Sequence, residues 1–197
     1  MTQMPLQNTI IDFWRMVVEY DVSIVVMLNS LQDESAFGGM YWPKKTEVKH
    51  GPFEIETTST QEYIYFKEIG LTVHSKDNEP QRVSLYQAKF WNDDKSVPEN
   101  TIGLTTVMAE VEKRKSQNNG PIVVHCLNGC DKSGVFCVIA CTVERILSNH
   151  EVNIEQVIKQ IRCRRPQVIS DYEQYRFCHE AVADYIQATD SHTYSNM

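Results

Sequence analysis

One short segment places a cysteine, two glycines and a lysine where they could act on an anion. It begins at Pro121, reads PIVVHCLNGCDKSG, and passes from an apolar run through a turn-rich loop into a helical pattern that starts near Ser133. A loop between a strand and a helix gathers backbone N–H groups at the positive end of the helix dipole. Such a place favours the thiolate of a cysteine, the form that attacks phosphorus. Cys126 is therefore a candidate nucleophile in a phosphate-binding loop.

The alternative interpretation of this segment is purely structural. Cys126 would then be a small buried residue, and Gly129 and Gly134 would serve only the turn. The order of strand, loop and helix favours the phosphate interpretation, because glycines placed in that order let the backbone close around an anion.

The patterns around the loop predict an α/β domain with a mixed, largely antiparallel twisted sheet flanked by helices. Helical periodicity occurs at 8–20, 99–116, 132–149, 153–165 and 170–188. Strand patterns occur at 23–28, 51–58, 61–75, 81–91 and 121–125, and the second, third and fourth of these predict an antiparallel meander. The predicted helix caps are Asn8 or Thr9, Asn153 with Gln156, and Ser170 with Glu173.

Composition and charge restrict the classes of function. A chain of 197 residues that is 42% hydrophobic is long enough to bury one core, so one domain is expected. The formal net charge of -7 disfavours nucleic acid and anionic membranes as partners. No apolar run approaches the roughly 18 residues that a membrane helix needs, and the first residues have no signal-peptide pattern.

The cysteines do not predict a metal site or a disulfide framework. They lack paired spacings and lie at positions 126, 130, 137, 141, 163 and 178. Cys137 and Cys141 are four residues apart on an apolar helical face, which predicts that both are buried. We therefore expect no metal, no cofactor and a reducing, cytoplasmic location.

The segment VVHCLNGCDKSGVF resembles the signature loop of the protein tyrosine phosphatases, H-C-x5-R-S/T-G. Three further segments match that family in the same order, namely TQMPLQNTIIDFWRMV, MYWP at Met40 and ISDYEQYRF. The resemblance covers Thr2 to about Tyr185. HCLNG and EQYRFCHEAVADYI are most similar to the second, membrane-distal cytoplasmic domains of MAM-containing receptor phosphatases, which as a class are weakly active or inactive and regulatory.

The resemblance also has implications for the extent of the domain. Family domains continue upstream of the segment that TQMPL matches, including the loop whose aromatic residue clamps phosphotyrosine. Residues 1–188 are thus expected to form a partial phosphatase domain, and residues 189–197 a flexible tail.

The family pattern assigns roles to residues of this chain. Cys126 matches the nucleophile, and His125 matches the histidine that supports the loop and helps to stabilise the thiolate. Ser133 matches the hydroxyl that assists departure of the sulfur, and Gln174 matches the second glutamine of the pair that places the hydrolytic water. The other residues matched to the phosphate-binding loop are Leu127, Asn128, Gly129, Cys130, Asp131, Lys132 and Gly134.

Two residues of the loop depart from the family pattern. Lys132 stands where the family has arginine, and an ammonium lacks the planar fork that grips two phosphate oxygens. Asp131 stands at a position that is usually glycine, and its carboxylate would repel a bound dianion unless it points to solvent.

Two other catalytic segments are altered as well. The acid loop reads WNDDKSVP where the family has W-P-D-x-G-V-P, so it is one residue longer between tryptophan and proline. The catalytic acid is Asp93 if one counts from Trp91, and Asp94 if one counts back from Pro98; both could also be solvated turn residues. Ser170 replaces the first water-placing glutamine.

These departures favour an impaired, pseudophosphatase-like domain with a regulatory or phosphotyrosine-binding role. The alternative is an active phosphatase that forms a phosphocysteine on Cys126. A weaker alternative is a redox sensor that pairs Cys126 with Cys130. The expected partners are phosphotyrosine proteins or a sister phosphatase domain. This segment has no predicted membrane span, and the resemblance leaves room for a membrane anchor elsewhere in the full protein.

Overall fold

A computed structural model describes residues 1–29, 40–44, 46–76, 78–116, 120–149 and 152–194 of the chain. The strands are β1 Thr2–Gln3, β2 Ile24–Met27, β3 Glu47–His50, β4 Phe53–Glu62, β5 Phe66–His74, β6 Gln81–Ala88 and β7 Ile122–Cys126. The helices are α1 Ile10–Glu19, α2 Ile102–Lys115, α3 Asp131–Asn149, α4 Ile154–Arg162 and α5 Tyr172–Tyr194. No helix in this part of the chain is both long and apolar enough to cross a membrane.

The strands form one seven-stranded mixed sheet in the order β1-β7-β2-β6-β5-β4-β3. The contacts of β7 with β1 and β2, and of β2 with β6, are parallel, whereas β6, β5, β4 and β3 form an antiparallel meander. The two longest registers, β4 with β5 and β5 with β6, are antiparallel. The predicted α/β class, the mixed sheet and the meander are therefore confirmed.

Strand β2 lies in the interior of the sheet, between β7 and β6, and is buried on both faces, which explains its apolar run without alternation. Ile24 and Val26 face the core shared with α3 and α5, while Val25 and Met27 face the core formed with α1. Its parallel pairing with β7 fixes the position of β7, and hence the start of the loop that follows it.

The loop after β7 is held against the edge strand β1. The backbone N–H of Met4 donates to the carbonyl of Cys126 at 2.7 Å. Gly129 has a positive φ of 69°, and a Cβ atom there would lie 2.5 Å from the backbone nitrogen of Gln3. Glycine is required at this position by both the backbone conformation and the close approach of β1.

One predicted cap is confirmed, one is confirmed only in its position, and one is wrong. Thr9 precedes α1, but its side chain makes no capping hydrogen bond, because its hydroxyl pairs with the backbone of Leu6. The side chain of Asn153 accepts a hydrogen bond from the backbone of Gln156. Helix α5 begins at Tyr172 instead of Ser170, because Asp171 accepts the capping hydrogen bond from the backbone N–H of Gln174 at 2.8 Å.

Two further predictions differ from the structure. Helix α5 continues to Tyr194 beyond the predicted end near residue 188, since the sequence has no glycine or proline there to stop it; residues 195–197 of the predicted tail lie outside the described residues. Cys137 is partly buried, but Cys141 is exposed, because the buried stripe of α3 does not extend as far around the helix as the apolar residues do.

Candidate active site

Cys126 lies at the carboxyl end of β7 and is only 2% exposed. Its thiol donates to the side-chain oxygen Oδ1 of Asn128 at 3.4 Å. The same oxygen accepts hydrogen bonds from the backbone N–H groups of Cys130 at 2.9 Å and Asp131 at 3.1 Å. Two amides of the loop therefore converge close to the sulfur, and the atom on which they converge belongs to Asn128.

Lys132 is buried, with 7% exposure, and its ammonium is directed at the acid loop. Its Nζ lies 2.6 Å from Oδ1 of Asp93 and donates to the carbonyl oxygen of Trp91 at 3.1 Å. It also lies 5.6 Å from the centre of a ring of Trp91, a distance at which a cation is attracted to the π face. The ammonium of Lys132, the cation predicted to bind phosphate, is thus held by protein groups.

The two candidate acids differ in their surroundings. Asp93 binds Lys132 and accepts a second hydrogen bond from Nδ2 of Asn29 at 3.0 Å. Asp94 is exposed. The indole N–H of Trp91 donates to the carbonyl of Lys95 at 3.2 Å, so the longer acid loop is closed on itself as a turn. Counting from Trp91 consequently selects the aspartate that faces the signature loop.

His125 supports the loop as a neutral ring. It is fully buried, and its Nε2 lies 2.7 Å from the hydroxyl of Tyr41. The rings of Phe13 and Tyr41 pack edge-on against it. Burial lowers the pKa of His125 to about 3, so the imidazole carries no charge at neutral pH. Its support of Cys126 is therefore positional, and it supplies no positive charge to a thiolate.

Ser133 and Gln174 are both buried, but they differ in their hydrogen bonding. The hydroxyl of Ser133 has no hydrogen-bond partner among the described residues, Cys126 included. The side-chain oxygen of Gln174 accepts from the backbone N–H of Ser170 at 3.0 Å. Gln174 is thus occupied in holding the start of α5.

The backbone beside Gln174 is strained. Ile169 has φ of 57°, which is rare for a β-branched residue. Arg162 donates from Nε and from its terminal nitrogen to the carbonyls of Val168 and Ile169, at 2.9 and 2.5 Å. These charge-assisted bonds hold the unusual conformation next to Ser170.

The acid loop and the start of α5 are joined directly. The hydroxyl of Ser96 donates to Oδ2 of Asp171 at 2.5 Å, while Oδ1 of Asp171 caps α5. Together with the pair of Lys132 and Asp93, this bond connects the signature loop and the acid loop to residues 170–174, here called the glutamine loop.

Cys126 does not line either of the two main clefts formed by the described residues. These open clefts have volumes of about 480 and 400 Å³. The first lies beside the meander and includes Trp42 and Lys67. The second includes Arg162, Ser170 and Asp171 and therefore borders the glutamine loop. We place the candidate site at Cys126 on its chemistry, although the larger cleft lies elsewhere.

The structure brings most of the predicted residues together. Leu127 and Cys130 line the loop, and Gly134 packs against Val168 so closely that a Cβ atom would lie 2.8 Å from it. Cys126 and Cys130 are free thiols, and their redox pairing stays a prediction.

Two residues of the site, Asn29 and Asp171, were not predicted from the sequence. Asn29 follows a buried parallel strand, and the carboxyl ends of such strands gather site residues; that signal could have found it.

The fold and the site together define a class, namely a mixed α/β domain in which a cysteine ends a strand and a glycine-containing loop leads from it into a helix. Comparison with known proteins agrees, because residues 1–184 match the family described as protein-tyrosine phosphatase. The chain belongs to the protein-tyrosine phosphatase family.

Individual relatives include both receptor and non-receptor enzymes. The chain is 30% identical over 190 residues to the receptor-type tyrosine-protein phosphatase alpha of Homo sapiens, covering 95% of the chain and 24% of that protein. It is 35% identical over 186 residues to the tyrosine-protein phosphatase non-receptor type 7 of Rattus norvegicus, covering 93% and 51%. The receptor-type phosphatase epsilon of the same species is 31% identical over 193 residues, covering 94% and 28%. The chain thus spans about a quarter of the receptor relatives and about half of the non-receptor one.

Proposed function

We propose that this chain is a catalytically impaired protein tyrosine phosphatase domain that acts in the cytoplasm as a regulatory or phosphotyrosine-binding module. Its proposed place is that of a second phosphatase domain beside an active sister domain. The observation that carries the proposal is the ion pair between Lys132 and Asp93, which joins the phosphate-binding cation to the candidate acid at 2.6 Å.

The first consequence of the ion pair is weaker binding of phosphate. Lys132 already donates to Asp93 and to the carbonyl of Trp91, so an incoming phosphate has to compete with two protein acceptors. An ammonium also lacks the second parallel hydrogen bond that a guanidinium makes to phosphate. Losing one charge-assisted contact costs about 1.5–3 kcal/mol. If that contact is needed in the transition state, turnover falls by about ten- to a hundredfold.

The same pair also opposes proton donation. Oδ1 of Asp93 accepts hydrogen bonds from Lys132 and from Asn29, so this oxygen is occupied by two protein donors instead of facing a leaving group. A general acid in position contributes about 10²–10⁴-fold to the rate. An Asp93 held in this way does not supply that contribution to a tyrosine leaving oxygen.

The third deficit concerns the hydrolytic water. The side chain of Ser170 is too short to replace a glutamine at this position. The side-chain oxygen of Gln174 is already bonded to the backbone N–H of Ser170. Release of phosphate from a phosphocysteine would therefore lack both of its positioning side chains. Because residues that act as a unit are not additive, the three deficits do not simply multiply.

The proposal is tested by a phosphatase assay of the unaltered chain and of a variant that combines Lys132→Arg, deletion of Asp94 and Ser170→Gln. We expect negligible turnover of a phosphotyrosyl peptide by the unaltered chain. The combined variant restores the guanidinium, the length of the acid loop and the first glutamine. We expect its turnover of the peptide to exceed that of the unaltered chain by about tenfold or more.

Two controls accompany this assay. The exposed Lys113→Arg tests whether any added arginine has the same effect, and we expect no change from it. Adding Cys126→Ser to the combined variant should abolish the gain, because the nucleophile is lost. Substantial turnover by the unaltered chain that disappears in Cys126→Ser would overturn the impaired function.

The alternative function is an active phosphatase, and the position of Asp93 favours it. Cys126 and Lys132 belong to the same loop, and the contact of Asp93 with Lys132 places one candidate acid beside that loop. In that case the sulfur of Cys126 would bond to phosphorus while the tyrosine oxygen leaves with a proton from Asp93. Water would then attack phosphorus and release the sulfur. Turnover by the unaltered chain is the outcome that decides for this alternative.

A further inference from the structure

The side chain of Asn128 occupies the point on which the signature loop converges. Its Oδ1 accepts from the thiol of Cys126 at 3.4 Å and from the amides of Cys130 and Asp131 at 2.9 and 3.1 Å. Three donors from two sides of the loop therefore end on one uncharged oxygen.

The orientation of this amide is fixed by its other end. Nδ2 of Asn128 donates to Oδ2 of Asp131 at 2.6 Å. A flipped amide would place its NH₂ group against two N–H donors and its oxygen against a carboxylate, so the environment allows one orientation only. Asp131 thus holds Asn128 over the loop, instead of projecting freely into solvent.

We propose that Asn128 is an internal occupant of the phosphate site, whose amide oxygen takes the place of one oxygen of a tetrahedral oxyanion. This inference rests on the proposed function, since it concerns regulation of the same loop. An oxyanion that reaches Cys126 has to displace Asn128 from both amides, and it meets the carboxylate of Asp131 as it does so. The loop is therefore closed by its own side chain.

The closure is reversible on steric grounds. Asn128 is exposed, so its side chain can rotate outward without disturbing the core. Two neighbouring groups could help an anion to displace Asn128, but neither offers a free positive charge. Lys132 is paired with Asp93 of the acid loop, and His125 is neutral. A ligand with enough affinity for the amides would open the site, which makes the loop a gate for oxyanions and phosphotyrosine.

The test is a titration of the full chain with tungstate, monitored by the NMR signals of the backbone amides of Cys130 and Asp131. In Asn128→Ala these amides lose their internal acceptor, and we expect tungstate to bind about tenfold more tightly or better than to the unaltered chain. Asn128→Asp keeps an oxygen at the same place and adds a negative charge, so we expect no gain.

Asn153→Ala is the matched control, because Asn153 caps α4 through the same kind of bond to the backbone of Gln156. It loses a helix cap but leaves the signature loop intact, and we expect its affinity for tungstate to equal that of the unaltered chain. Equal affinity of Asn128→Ala and the unaltered chain, or the same gain in Asn153→Ala, would overturn the proposal.

A second pair of variants keeps the test decisive if Asn128→Ala does not fold. Asp131→Asn removes the negative charge but keeps an oxygen that can accept from Asn128, whereas Asp131→Ala removes both. We expect the affinity for tungstate to rise further in Asp131→Ala than in Asp131→Asn; equal affinities would contradict the proposal. These experiments measure the affinity for tungstate, whereas the proposed function is tested by turnover. Failure of one proposal can therefore be distinguished from failure of the other.

Discussion

Replacing Trp91 by alanine is expected to lower the free energy of unfolding by about 3–5 kcal/mol. Trp91 is 1% exposed and packs against Phe90 and Phe177. Its indole N–H closes the acid loop on Lys95, and its ring lies against the ammonium of Lys132. The substitution therefore leaves a large cavity, opens the turn and removes a cation–π contact.

Urea unfolding monitored by circular dichroism measures this loss. The control is Tyr172→Ala, which removes an exposed aromatic ring at the start of α5. We expect the control to change the free energy of unfolding by less than about 0.5 kcal/mol. A Trp91→Ala variant as stable as this control would show that the acid loop is not packed as described.

Breaking the ion pair between Lys132 and Asp93 is the second change with a large expected effect. In Asp93→Asn the buried ammonium of Lys132 loses its counter-ion, and removing one partner of a fully buried pair costs about 3–5 kcal/mol. Asp93 is 36% exposed on its side chain, so solvent screens part of the interaction. We therefore expect a loss of about 2 kcal/mol in the free energy of unfolding.

A double-mutant cycle separates this pair from general effects of substitution. Lys132→Met keeps the apolar part of the side chain and removes its charge. Since the two charges stabilise each other, the double variant should be less destabilised than the sum of the single variants, by about 1 kcal/mol or more. Strict additivity of the two substitutions would contradict the ion pair, and with it the main support for an impaired site.

The patterns that predict the fold are those that burial imposes on whole elements. Strand β2 is apolar because both of its faces are covered, and the meander alternates because one side is better covered than the other. The short strands β1 and β3 were not predicted. β1 has two residues, and β3 alternates between partly buried and exposed side chains without a clear apolar pattern.

The site could be predicted as a set of residues, but its internal pairing could not. Spacing alone identifies Cys126 and the loop, because strand, glycines and helix follow in order. Which aspartate faces Lys132 depends on the path of an acid loop that is one residue too long. Whether Asn128 points into the loop depends on one rotamer and on the carboxylate of Asp131.

The choice of cap at α5 illustrates the same limit. Ser170 and Asp171 are adjacent, and both are good capping residues. The structure selects Asp171, which also accepts the hydroxyl of Ser96 from the acid loop. A contact between segments so far apart in the chain leaves no local signal in the sequence.

The most direct measurement is mass spectrometry of the unaltered chain, quenched in acid after incubation with p-nitrophenyl phosphate. It asks whether the sulfur of Cys126 ever bonds to phosphorus. Because the loop's amides and cation are already occupied by Asn128 and Asp93, we expect no phosphate adduct and the same spectrum as that of Cys126→Ser. Sustained release of p-nitrophenolate over many turnovers, abolished in Cys126→Ser, would contradict an impaired site. A single burst with a phosphorylated peptide that contains Cys126 would contradict the occupied loop and would leave only the hydrolytic step impaired.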